Sequence, residues 1–144
     1  MITLLQRVSS ASVVIDSEIV GSINQGLLIL VAVQQSDDNE IAARFIERIL
    51  NYRVFSDEND KMNLSLRDIE GGLLLVPQFT LAANTQKGRR PSFTSAAAPE
   101  HGKTIFYQMT DFARNNYSIV ESGVFGADMQ VQLTNDGPAT FILD

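Results

Sequence analysis

Chemistry in this sequence concentrates in short clusters. Pro77-Gln78-Phe79-Thr80 closes an apolar run, Leu73–Val76, that opens at Gly71-Gly72. Four apolar residues in a row read as a buried strand. Pro77 removes a backbone donor and holds Val76 extended, so a sheet tolerates it only at an edge, a strand end or a bulge. Gln78 and Thr80 follow that break, with Phe79 and Leu81 alternating between them, so a core strand ends in polar groups beside irregular backbone. A candidate site and an ordinary exit turn both fit. Asn135-Asp136-Gly137-Pro138-Ala139-Thr140 is the second cluster, read as a turn between the last two strands. A Gly-Pro pair there can present carbonyls and amides in a fixed shape, above all with a cis bond. Lys87-Gly88-Arg89-Arg90 is the third, with three positive charges in four residues.

Negative findings narrow the chemistry. His101 is the sole histidine and there is no cysteine, so a His/Cys zinc site, a disulfide and thiol catalysis are all excluded. A Ser-His-Asp triad would have to use His101, and no serine pattern points to it. Neither a Gly-x-x-x-x-Gly-Lys-Thr phosphate loop nor a Gly-x-Gly-x-x-Gly turn occurs. Asp57–Asp60 fails as a calcium loop, because Met62 stands where the sharp turn needs glycine. Ser56–Arg67 therefore reads as a solvated loop. Eleven basic against seventeen acidic residues give a net charge of −6, which opposes sequence-independent coating of nucleic acid but not a local basic contact.

The elements that must position these clusters come from periodicity. At 144 residues and 44 % hydrophobic, the chain fits one domain with a substantial core. Ile2–Val8 and Ala11–Ile15 read as two strands or one bent strand, Asp16-Ser17-Glu18 as a turn, and Leu27–Val33 as the central strand. Ile41, Phe45, Ile46, Ile49 and Leu50 fall at helical spacing, with Asp37 or Asp38 as cap. Pro99 opens a second helix whose stripe is Ile105, Phe106, Met109, Phe112 and Ala113. Strands return over Ser118–Val120, Met129–Leu133 and Ala139–Leu143. The expected fold is α/β, a mostly antiparallel sheet or open barrel covered by two helices. No apolar run reaches membrane-span length and no secretory signal opens the chain, so the expected location is cytoplasmic with no membrane partner.

Several of these segments also carry a resemblance. Leu5-Gln6-Arg7-Val8, Tyr52–Asp57, Lys61-Met62-Asn63, Gln78-Phe79-Thr80-Leu81, Gly88–Phe93, Phe125–Met129 and Asn135–Thr140 together resemble the D-aminoacyl-tRNA deacylases over essentially the whole chain. That resemblance implies an esterase that removes D-amino acids from mischarged tRNA, without cofactor or metal. It implies a homodimer with active sites at the subunit boundary. The family's Ser-Gln-Phe-Thr motif falls on Pro77–Thr80, so this chain has proline where the family usually has serine. A serine nucleophile is thereby unavailable. Thr80 keeps a hydroxyl but has no evident base. The remaining family model has the 2′-hydroxyl of the terminal adenosine assist attack while the amides of Phe79 and Thr80 meet the oxyanion and Gln78 positions the adenosine end. Phe125 and Met129 then shape the adenine pocket, or simply pack a strand. The family's Asn-x-Gly-Pro-x-Thr motif falls on Asn135–Thr140, where Gly137-Pro138, joined by a cis bond, enters the partner's pocket. Its carbonyls address the substrate amino group, and L side chains are excluded by collision. Arg7 supports that loop, and Lys87, Arg89 and Arg90 meet tRNA phosphates. A binding-only RNA-end or nucleotide-binding dimer is the alternative that Pro77 leaves open.

Overall fold

The computed structural model describes Met1–Asp144. One long strand organises it. β1 (Ile2–Ile15) is a single bent strand, the second of the two sequence readings. Its first half pairs with β3 (Gly26–Ala32) and its second half with β2 (Glu18–Ile23), both antiparallel. The β1–β2 connection places Asp16 and Ser17 at φ 48° and 66°. Both central residues at positive φ match the right-handed twist of a two-residue hairpin. β3 then pairs parallel with β6 (Gly72–Pro77), and β6 parallel with β7 (Val120–Ser122). The sheet is therefore mixed. Its order is β2-β1-β3-β6-β7, with β8 (Gln130–Leu143) along the free edge of β1. β2 curls back toward the far end of the path, where Ile23 packs on Gly72 and Gly21 lies near Ser122, so the sheet nearly closes.

Strand alternation sorts two cores. Leu5, Leu27, Ile29, Leu73 and Leu75 face the helices, while Val8, Leu28, Leu74 and Val76 face the inside of the curled sheet. Both faces of β3 and β6 are thus buried, which is why their sequences run apolar without a break. The helices are α1 (Asn39–Asn51) and α3 (Pro99–Asn116), packed together over one face. Asp38 caps α1 by accepting from Ile41 N. Asp37 is instead buried, taking an ion pair from the Met1 ammonium at 2.7 Å and a hydrogen bond from Gln34 N. His101, part-buried, lies 2.8 Å from the Asp37 carbonyl through Nε2 and forms no hydrogen bond with Gln78 or Thr80.

The loop reading of Ser56–Arg67 is corrected. β4 (Phe55–Ser56) and β5 (Met62–Leu64) form a small hairpin, followed by the short helix α2 (Leu66–Ile69). The polar turn hid it, because Asp57 supplies the hairpin with acceptors for Asn59 N and Lys61 N. Ser65 and Asp68 form a reciprocal capping box on α2. The Ser65 N–H and hydroxyl both hold the Asp68 carboxyl below its ordinary value of 3.8. Because the folded-state value is lowered, the stability it brings is fully present above the ordinary value and is lost as pH falls through the folded one. Asp68→Asn should therefore flatten the acid limb of an unfolding-versus-pH curve relative to wild type. Superimposable acid limbs would remove the capping role.

Candidate functional site

Pro77 ends β6 opposite Val31, beyond the last residue of β6 paired with β7, so its missing N–H breaks no ladder. The next amide, Gln78 N, donates to Val31 O at 2.7 Å. The backbone then tightens into a 3₁₀ turn, Phe79–Ala82, in place of the alternation expected from Phe79 and Leu81. Leu81 N and Ala83 N return to Gln78 O and Thr80 O. The amides of Phe79 and Thr80, the first of this turn, have no acceptor within the chain. Unpartnered first-turn amides are what a helical N-terminus leaves over. Gln78 donates from its side-chain amide to Thr80 Oγ1. No histidine or carboxylate bonds Thr80, so no base activates its hydroxyl.

Beside this turn lies an open pocket of about 500 Å³, with Gln78, Phe79, Phe125, Met129 and Val131 among its walls. Phe125 belongs there because Gly102 of α3 is small: a Cβ at Gly102 would sit 3.2 Å from the Phe125 ring. Phe125 N donates to Tyr107 Oη at 3.2 Å, which ties the pocket wall to the same helix. Met129 Sδ accepts from Val124 N at 3.4 Å and packs against Gly123. Phe125 and Met129 are half-buried and face this pocket as well as packing on the cores. Ala97, Pro99 and Asp128 line it too and were not expected. Ala97 and Pro99 sit at the start of α3, far from Gln78 in sequence, and only packing reveals them.

The second cluster is not a turn between strands, and that reading is corrected. β8 runs through it as one strand against β1, with a bulge where Arg7 alone faces the stretch between Asn135 and Thr140. The chain does not reverse, so both halves keep the same partner. The bulge carries a cis Gly137-Pro138 bond, both residues exposed, with Gly137 at φ 138°. Asn135 ties the bulge base: Oδ1 accepts from Ala139 N at 2.7 Å and Nδ2 donates to Thr140 Oγ1 at 2.9 Å. Arg7 fills the gap in the ladder, donating from Nε to Asp136 O at 2.9 Å and from Nη1 to Val54 O at 2.7 Å. These residues come together as a unit that holds Gly137-Pro138 outward.

Within one chain the two clusters stay apart. Arg7 pairs at Leu27 and Pro77 at Val31, so they stand four residues apart along β3, roughly 13 Å at strand rise. No residue of Asn135–Thr140 lines the pocket beside Gln78. The basic residues form a third feature. Asn84 and Ser92 exchange backbone hydrogen bonds at 2.7 and 3.0 Å, closing a loop whose exposed tip carries Lys87, Arg89 and Arg90.

Comparison with known proteins agrees over the full length. The family model described as D-Tyr-tRNA(Tyr) deacylase matches residues 4–144. The chain is 57% identical over 144 residues to a D-aminoacyl-tRNA deacylase of Pseudomonas aeruginosa (strain UCBPP-PA14), covering 100% of this chain and 99% of that protein. It is 53% identical, with the same coverage, to one of Pseudoalteromonas atlantica. Among solved structures it is similar to the c-Myc DNA Unwinding Element Binding Protein, with TM-score 0.95, 34% identity, and 100% and 98% of the two chains covered. A probable eukaryotic D-amino acid tRNA deacylase, at TM-score 0.86 and 18% identity over 99% and 97% of the chains, shares the fold. No helix is long and apolar enough to cross a membrane.

Proposed function

The chain belongs to the D-Tyr-tRNA(Tyr) deacylase family, and from that premise we propose that it hydrolyses the ester of D-aminoacyl-tRNA, a chiral proofreading step in translation. The observation that carries this is the match along the whole chain to relatives that bear the activity in their names. Water adds to the ester carbonyl, the bond to the ribose oxygen breaks, and free D-amino acid and tRNA are released. The amides of Phe79 and Thr80 receive the developing oxyanion, a role that two unpartnered donors suit. The 2′-hydroxyl of the terminal adenosine assists attack, since Thr80 has no base beside it. Gln78 orients the adenosine end, and Phe125 and Met129 flank its base.

A second copy of the chain completes the site. The separation of Gly137-Pro138 from the Phe79–Thr80 amides supports this, because one copy cannot apply both to one substrate. β8 supports it too, as a 14-residue strand paired only with β1, with Leu133 and Ile142 exposed. Long unprotected edges with exposed apolar side chains invite a partner. In the homodimer, carbonyls of Gly137-Pro138 bind the substrate α-amino group and block an L side chain. D-residues fit there, and so does glycine, which makes glycyl-tRNA on a non-cognate tRNA a further substrate. Pro77 favours a binding-only dimer as the second reading. Against it, Pro77 sits at a strand end where it costs neither amide. Working on charged tRNA, the protein operates in the cytoplasm and needs no metal or cofactor.

The test is the lifetime of D-Tyr-tRNA beside L-Tyr-tRNA, with EDTA present and a no-enzyme control. Rapid loss of the D-ester alone is the expected result. Retardation of a labelled acceptor stem with no shortening of either ester's lifetime, even after Mg²⁺ is restored, would establish the binding-only reading instead. Replacing Lys87, Arg89 and Arg90 together with alanine should weaken tRNA binding and reduce the slope of log affinity against log salt by about 2 if each meets a phosphate. An unchanged slope would sink the phosphate role.

A further inference from the structure

The aromatic rings of Phe79 and Phe93 have no use in the reaction as described. Phe79 and Phe93 are 55% and 39% exposed, and their rings pack at 5.1 Å with a 55° tilt. With Gln35, Thr94, Ala97 and Pro99 they line an open groove of about 640 Å³. Phe79, Ala97 and Pro99 also line the pocket beside Gln78, so groove and pocket are continuous. The loop that carries Lys87, Arg89 and Arg90 runs between the two rings in sequence, closed by the Asn84–Ser92 pair. Ser95 Oγ donates to Ala82 O and Gln35 Nε2 to Thr94 O, which pins the chain around Phe93 to the 3₁₀ turn and to the β3–α1 connection. An exposed aromatic platform flanked by cations is how single-stranded nucleic acid is held, the base on the ring and the phosphate on the charge. In a protein of net charge −6, a local cluster of cations selects an anionic polymer over another apolar surface.

We infer that this groove seats the base of the nucleotide preceding the terminal adenosine, the penultimate cytidine of the tRNA acceptor end, stacked on Phe93. The inference rests on the reading that adenosine occupies the adjoining pocket. The chain then runs from pocket to groove with its phosphates toward Lys87, Arg89 and Arg90. Gln35, whose amide nitrogen is committed to Thr94 O, turns its oxygen to the exocyclic amine of cytosine, a hydrogen-bond donor. Phe93 is a positioning residue: it fixes the path of the acceptor end and touches no reacting atom.

Three D-tyrosyl esters test this: of adenosine, of the dinucleotide CpA, and of the same dinucleotide with an abasic 5′ ribose. The wild type should show its lowest KM with CpA, because only that ester brings both base and phosphate. Phe93→Ala should raise the KM for CpA roughly tenfold or more with kcat unchanged, the scale of one lost base stack. It should leave the adenosine ester unaffected, and Phe93→Tyr should restore the CpA value. Equal KM for CpA and the abasic ester in the wild type would overturn the inference, as would an equal loss by Phe93→Ala on all three esters. Sedimentation velocity on the same variant covers another occupant: dissociation of a dimer would mean that a second copy fills the groove. Non-hydrolysable 3′-amide analogues, compared by Kd, keep the test independent of turnover. Tighter binding of the CpA amide without hydrolysis of any ester would uphold the groove and remove the hydrolase reading.

Discussion

Gly137→Ala should cost D-ester hydrolysis on the order of 100-fold, the scale of a misplaced positioning group. Two physical terms act together. Gly137 sits at φ 138°, a conformation that L side chains rarely adopt, at roughly 1–3 kcal/mol of strain. The added Cβ would also lie 2.8 Å from Arg7 Nη2 and 3.1 Å from Ala139 N. A free arginine could swing away from such a contact. Arg7 is held at both ends of its fork, by Asp136 O and Val54 O, so yielding means losing the bonds that support the bulge. Hydrolysis of D-Tyr-tRNA and a thermal melt, run on wild type and variant side by side, separate the two terms. A variant with full activity on the D-ester would count against Gly137-Pro138 as the chirality element.

The largest stability effect should come from Gly26→Ala, which places a Cβ 1.9 Å from Gly72 O and 2.7 Å from Gly72 N and C. Every one of those atoms is backbone, so no rotamer change relieves the clash. Gly26 pairs with Val8 on one side and with Gly72 on the other, at the point where the antiparallel and parallel parts of the sheet meet. The strands must separate there, which opens both cores. The expected loss exceeds about 4 kcal/mol, the range reached only by gross disruption of packing or backbone, and Tm should fall by roughly ten degrees or more. A melt within a few degrees of wild type would show that β3 and β6 can part at little cost.

Much of this molecule was legible before folding was considered. Continuous apolar runs at Leu27–Val33 and Leu73–Val76 announced strands buried on both faces, and the structure lays a core on each side of them. Helical spacing at Ile41–Leu50 and the proline at residue 99 announced α1 and α3. These signals are local: period, cap and breaker act over a few residues and are written in the order of the chain. The candidate motifs were legible for the same reason, since Gln78–Thr80 and Asn135–Thr140 are each contiguous.

Pairing, by contrast, was decided by tertiary structure. Asn-Asp-Gly-Pro is turn chemistry in sequence, yet here it bulges from one strand because β1 supplies partners before and after it and Arg7 fills the gap between them. Phe79 and Leu81 alternate as a strand would, but β7 stops at the level of Leu75 and the chain beyond Pro77 tightens into a 3₁₀ turn with two free amides. Which walls face those amides depends on glycines at 102 and 123, whose missing side chains make room for Phe125 and Met129. Such complementarity joins residues tens of positions apart, and a periodic pattern carries no information about it. The same limit applies to the distance between the Gly137-Pro138 bulge and the Phe79–Thr80 turn. Sequence places both motifs in one chain; the register of β1, β3 and β6 sets Arg7, under the bulge, four residues along β3 from Pro77, before the turn.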